Sequence, residues 1–244
     1  MKQHEAVIKV MEKKGGYATL GYLYQKVLKI PGVEWKTKTP HASIRRIVQD
    51  DRFFFKIKPG LWALKSYRNK LPQEVLPLPK TTKKKKEELN HYYYQGLLLE
   101  IGNLKKMKTA VPPQDRNQKY LDKKLEEIAS IADFYDFTYK YLVSKSKTVD
   151  VVWFNERKMP DSFFEIEHTT NMQNSLLKFI ELQDFHANFY IAADNMRRRL
   201  FESKIKLNVF KTLANRVTFL DYDKLSDWHT KTHELATIEK SISS

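Results

Sequence analysis

Apolar residues recur at helical spacing three times before position 50. Ala6, Val7, Val10 and Met11 share one side of a first helix that Gly15 and Gly16 end, and Leu20, Leu23, Tyr24 and Leu28 gather on a second. Ile44, Ile47 and Val48 form the stripe of a third, with Thr39 and Pro40 as its N-cap and first position. FFFKIKPGLWAL then reads as two short strands around Pro59-Gly60. Helix, helix, helix, hairpin is the order of a winged helix over residues 1–70. Its third helix would offer Lys38, Thr39, His41, Ser43, Arg45 and Arg46, and Lys56 and Lys58 would lie on its wing. Residues 71–88 hold three prolines and no regular period, which predicts a linker in which the run Lys83 to Lys86 is solvated or touches phosphate.

From residue 89 on, the pattern changes. A helix over EELNHYYYQGLLLEIGNLKKM turns Tyr94, Leu97, Leu98 and Ile101 inward, KTAVPPQDR begins as a short strand, and YLDKKLEEIASIADF reads as a second amphipathic helix. TVDVVWFN and SFFEIEH read as strands joined by a turn containing Pro160-Asp161. They are followed by helix MQNSLLKFIELQDF, strand ANFYIAAD, helix NMRRRLFESKI, strand RVTFLDY and helix DKLSDWHTKTHEL. This alternation predicts an α/β domain over residues 89–244, a sheet covered by helices with its cleft at the strand ends.

Composition narrows the function. With 41% apolar and 13% aromatic residues, the 244-residue chain has ample material for packed cores. The absence of cysteine excludes a disulfide scaffold and a thiolate zinc site, and leads us to expect a reducing, cytoplasmic setting. Charges spread through MKQHEAVIKVMEKK are unlike a secretion signal, and no apolar run nears ~18 residues, so no membrane association is expected. The net charge of +15 favours a polyanionic partner. It is concentrated in residues 1–70, where 16 Lys+Arg stand against 5 Asp+Glu for a net of +11. That points to double-stranded DNA as the partner of the first segment.

The candidate chemistry lies in SFFEIEHTTN. On a strand, Phe163, Glu165 and Glu167 share one face and Phe164 and Ile166 the other. Two carboxylates so close raise each other's proton affinity unless a cation or a hydrogen-bonding shell sits between them. Asp150, in the otherwise apolar TVDVVWF, is a third acid nearby. Glu-x-Glu on a solvated face, neutralised by lysines, is the plain alternative. Other chemistries lack their parts: the chain has no G-x-x-x-x-G-K and no G-x-S-x-G.

Two resemblances follow from these motifs. Residues 1–68, with G-Y-A-T-L-x-x-L-Y, T-P-x-x-S-I-R-R-I and F-x-x-x-x-x-G-x-W-A-L, resemble the HARE-type helix-turn-helix, a winged helix found fused to chromatin proteins and restriction enzymes. A role in protein–protein contact stays open for such a module. Residues 92–228 resemble the PD-(D/E)xK nuclease superfamily, whose core is a mixed central sheet flanked by helices. Asp150 matches its first acid and Glu165 its second, whereas Glu167 stands where the family usually has lysine. FEIEH-T-T followed by S-L-L-K-x-x-E-L is similar to a subgroup with an E-x-E-H core. The resemblance implies a type II restriction endonuclease, a homodimer, that uses Mg2+ held by Asp150, Glu165 and the Ile166 carbonyl, with Glu167 accepting a proton or binding a second metal. Gln95, Glu100, Arg116 and His168 are accessory candidates, and Asp115 and the run Arg197 to Arg199 have weaker claims. His168 is read as structural rather than as a catalytic base. A regulator with an inactive nuclease-like domain, and a repair or RNA nuclease, are the competing readings.

Overall fold

A computed structural model describes residues 1–168 and 172–242; Thr169 and Thr170 of the E-x-E-H motif lie outside the described residues. The chain divides into two units, Met1–Lys80 with Ser226–Ser244 and Thr81–Leu225.

The first unit contains α1 (Gln3–Lys13), β1 (Tyr17–Thr19), α2 (Leu20–Val27), α3 (Pro40–Ile47), β2 (Phe54–Lys58) and β3 (Leu61–Leu64). The predicted helical stripes are its core: Ala6, Val7, Val10 and Met11 pack with Leu23, Tyr24, Ile44, Val48, Phe54 and Leu64. The sequence gives no sign of β1, which is too short for a period to show. It completes an antiparallel sheet of order β1-β3-β2. Gly16, at a φ of 90°, turns the chain into β1 against the Tyr67 ring, a conformation and a clearance that a side chain would not permit. Thr19 then caps α2 by accepting from the Tyr22 amide at 3.2 Å.

The second unit opens with α4 (Lys83–Leu104), which corrects the linker boundary at residue 88. Thr82 caps this helix by accepting from the Lys85 amide, and Lys83–Glu87 and Lys85–Glu88 pairs brace its first turns, so the lysine run is helical. After β4 (Lys108–Ala110), the helix expected at YLDKKLEEIASIADF is instead a hairpin of β5 (Lys119–Tyr120) and β6 (Lys123–Lys124) followed by one turn, α5 (Leu125–Ile128). Leu121, at a φ of 55°, makes the tight turn, and Tyr120, Leu121 and Leu125 are buried by the hairpin and the turn after it rather than along one helical stripe. Next come α6 (Lys140–Ser146), unforeseen from sequence, β7 (Val151–Phe154), β8 (Pro160–Glu167), α7 (Met172–Glu181), β9 (Asn188–Ala193), α8 (Arg198–Ile205), β10 (Val217–Asp221) and α9 (Tyr222–Ile242). The β7–β8 turn ends before Pro160, which already belongs to β8. The sequence boundaries assign α9 to the second domain, whereas its residues from Ser226 on belong with the first unit. A helical period does not specify which core its stripe meets.

Five strands form the central sheet in the order β10-β9-β8-β7-β4, parallel across β10-β9-β8 and antiparallel across β8-β7-β4. Helices cover both faces. Phe163 stacks on Phe189 under Phe179 of α7, while on the other side Trp153 and Phe164 meet α4 through a Trp153 Nε1 bond to the Leu98 carbonyl at 3.1 Å. α4 lies close enough that a Cβ on Gly96 would sit 2.1 Å from the buried ring of Tyr120, whose hydroxyl is tied to Glu100. Gly96→Ala should therefore cost about 1–3 kcal/mol by overpacking. Urea unfolding should show a lower midpoint with an unchanged slope.

Candidate active site

β7 and β8 place the acids. The register pairs Val151 with Phe164, so Asp150, one residue before β7, falls opposite Glu165. Ile166 donates its amide to Asp150 Oδ2 at 2.7 Å. The amide and carbonyl of one strand residue leave by the same edge, so the Ile166 carbonyl also points toward Asp150. Glu165 and Glu167 share a face as the alternation requires, and both are buried.

α7 supplies what holds them. Ser175 and Lys178, one turn apart, face β8. Lys178 Nζ donates to both oxygens of Glu165 at 2.8 and 2.9 Å and to the Thr148 carbonyl at 2.7 Å. Ser175 Oγ bridges Glu165 Oε2, at 2.9 Å, and Glu167 Oε1. A hydroxyl has one proton, so it can donate to only one of the two carboxylates; the other contact needs a protonated carboxyl. The electrostatics agree. Burial, reinforced by Asp150, pushes Glu165 up to about 8 despite Lys178, and burial also raises Glu167. Burial would raise Asp150 too, but His91, Lys178 and the Ile166 amide hold it below the usual carboxylate range. Lys178 is raised: burial opposes its charge, and Glu165 and Asp150 outweigh burial.

On the α4 side, His91 Nε2 lies 3.5 Å from Asp150 Oδ1. Gln95 donates to Asp115 Oδ2 at 2.8 Å and to the Asp150 carbonyl at 2.9 Å. The structure thus brings together Asp150, Glu165, Glu167, Gln95 and Asp115 from the sequence reading, and adds His91, Ser175 and Lys178, which that reading missed. The i,i+3 spacing of Ser175 and Lys178 on the helix after β8 was the available signal.

Other candidates are placed elsewhere. Glu100 accepts from the Tyr120 hydroxyl, on another face of α4 from Gln95. Arg116 clamps a loop through the Ala132 carbonyl and Asp133. His168 bonds Tyr222, itself stacked on Tyr94 and donating to the Glu167 carbonyl, while Arg197 takes the His168 carbonyl. The His168 ring also lies 5.9 Å from that of His91, between centroids.

In the first unit, α3 presents two different faces. His41 is buried against Tyr24 with Glu234 at 3.6 Å, and Arg45 is paired with Asp227 at 3.1 Å, so the helix from Ser226 on engages both. Lys38, Thr39, Arg46 and Lys56 are exposed, and Ser43 is half-buried. Lys58 is also half-buried, and burial lowers its ammonium to about 8.

Comparison with known proteins matches residues 70–242 to one family, described as the Type II restriction enzyme NmeDI C-terminal domain. No curated protein and no solved structure matches. Among the described residues, no helix is long and apolar enough to cross a membrane.

Proposed function

Because the chain belongs to the family of the type II restriction enzyme NmeDI C-terminal domain, we propose that it is a divalent-cation-dependent endonuclease that hydrolyses double-stranded DNA at defined sites. The observation that carries this reading is the Asp150–Glu165–Lys178 cluster at the strand ends, with Glu165 buried between two half-buried partners, inside the matched region. In this reading the second unit is a PD-(D/E)xK nuclease in which Lys178, reaching over from α7, takes the part of the lysine missing at position 167.

Asp150, Glu165 and the Ile166 carbonyl are the residues that would hold Mg2+. The fit is supported by their hard oxygen donors. Bound by these residues, the cation would supply Lewis acidity to the scissile phosphate and to the attacking water. The ammonium of Lys178 puts positive charge where negative charge builds on the phosphate oxygens in the transition state. Glu167, whose proton affinity burial raises, takes the proton from the water. Cutting both strands calls for two such centres, which a two-fold homodimer supplies.

The first unit serves as a winged helix that grips the DNA. Its three helices, the β1-β3-β2 sheet and the net charge of +11 over residues 1–70 support this. The exposed face of α3 and the wing carry the contact through Lys38, Thr39, Ser43, Arg46 and Lys56, with His41 and Arg45 withdrawn and Lys58 a weaker phosphate ligand. Arg46→Ala should therefore weaken binding by about 1–3 kcal/mol, and Arg45→Ala by much less. Fluorescence anisotropy on the full-length protein at two salt concentrations checks the order; the reverse order would return Arg45 to the DNA.

Incubation with duplex DNA tests the whole reading. Discrete fragments should form in Mg2+ or Mn2+ and none with a chelator. DNA left intact under every divalent cation would overturn it.

A further inference from the structure

The geometry points to a second cation site beside the proposed Mg2+ position, formed by His91, Asp115 and Asp150 and selective for first-row transition ions such as Mn2+. It rests on the metal-dependent reading of the same cluster. One ligand atom from each of the three residues lies within 4.8 Å of the other two. They come from α4, from the loop after β4 and from the start of β7, three separate elements that converge here. An ion pair between His91 and Asp150 is the simpler use of the same contact, and it accounts for only part of what is present.

Gln95 is the part left over. It lies one turn after His91 on α4, on the same face, and is fully buried. Its Nε2 donates to both Asp115 Oδ2 and the Asp150 carbonyl, which fixes the amide: turned over, Oε1 would face two acceptors. Oε1 is therefore held beside the acids, buried and without a hydrogen-bond donor. An orphaned buried acceptor costs free energy, and the ion pair does nothing to relieve it. A water on a cation held by His91, Asp115 and Asp150 supplies that donor. Two carboxylates and one imidazole make a mixed oxygen and nitrogen set, whereas Mg2+ favours oxygen alone.

Paramagnetic resonance of Mn2+ bound to the full-length protein tests this without reference to cleavage. Wild-type protein should bind Mn2+ with a nitrogen hyperfine coupling from a directly ligated imidazole. His91→Gln should remove the coupling and weaken Mn2+ at least about tenfold. Asp115→Asn should weaken Mn2+ in the same way and carries the test if His91→Gln does not fold, as judged by circular dichroism. Mn2+ bound without nitrogen coupling, or coupling and affinity that survive both substitutions, would overturn the site. The two proposals fail separately. His91-dependent coupling in a protein that cuts no DNA upholds the cation site and sinks the nuclease, while Mg2+-driven cleavage without that coupling sinks the cation site alone.

Discussion

Asp150→Ala should leave DNA bound and uncut. The carboxylate is held below its usual proton affinity by His91, Lys178 and the Ile166 amide, so it is ionised where a cation needs it. Its Oδ2 is fixed by the Ile166 amide at 2.7 Å, an arrangement that orients the group without neutralising it. Removing it takes away a ligand common to both proposed cation positions, and the cleavage rate should fall by roughly a thousandfold or more, about 4 kcal/mol of transition-state stabilisation. Affinity for the same duplex should stay close to wild type, because the basic charge lies in residues 1–70. Single-turnover cleavage beside anisotropy separates the two effects. Cleavage at the wild-type rate would remove Asp150 from the chemistry.

Lys178→Ala should be nearly as damaging, by roughly a hundredfold to a thousandfold in rate. Its ammonium makes three short contacts, two to Glu165 and one to the Thr148 carbonyl, and without it Glu165 is left buried beside Asp150 with only Ser175. Glu165 should then bind its proton more tightly still, so that a cation has to displace a more firmly held proton to use it as a ligand. Sheet geometry adds a sharper form of the test. Position 167 is on the same face as Glu165, so a lysine there reaches the same space from the strand instead of from α7. Glu167→Lys in the Lys178→Ala background should recover part of the rate, measured by the same single-turnover assay. A double variant no faster than Lys178→Ala would mean that Lys178 supports Glu165 only structurally.

Sequence alone reveals the acids because strand alternation is rigid. Once SFFEIEH is a strand, Glu165 and Glu167 must share a face, and Asp150 stands out in an apolar run. It does not reveal what neutralises them. Ser175 and Lys178 reach the acids only through the register of α7 on β8, and His91 reads as one more polar residue near the start of a long helix. Read along one strand, the chain shows no lysine beside its acids; Lys178 comes to Glu165 from the neighbouring helix. The same limit applies to α3. His41 and Arg45 have the look of a DNA-reading face, and the residues that claim them, Glu234 and Asp227, are more than 180 positions away, with a separation of 182 for Arg45. Local chemistry decided the remaining differences: a threonine cap and paired charges made a helix of the lysine run, and one left-handed residue, Leu121, made a hairpin where an apolar period promised a helix.

The central claim is that the cluster around Asp150 and Glu165 hydrolyses DNA at defined places. Sequencing both ends of every fragment released by the wild-type protein in Mg2+ or Mn2+, with Asp150→Ala run in parallel on the same DNA, tests it most directly. Ends at a fixed distance from one shared short sequence on both strands, carrying a 5′-phosphate and a 3′-hydroxyl, are expected from the wild type and none from the variant. Ends scattered without a shared sequence, or the same ends from Asp150→Ala, would contradict it.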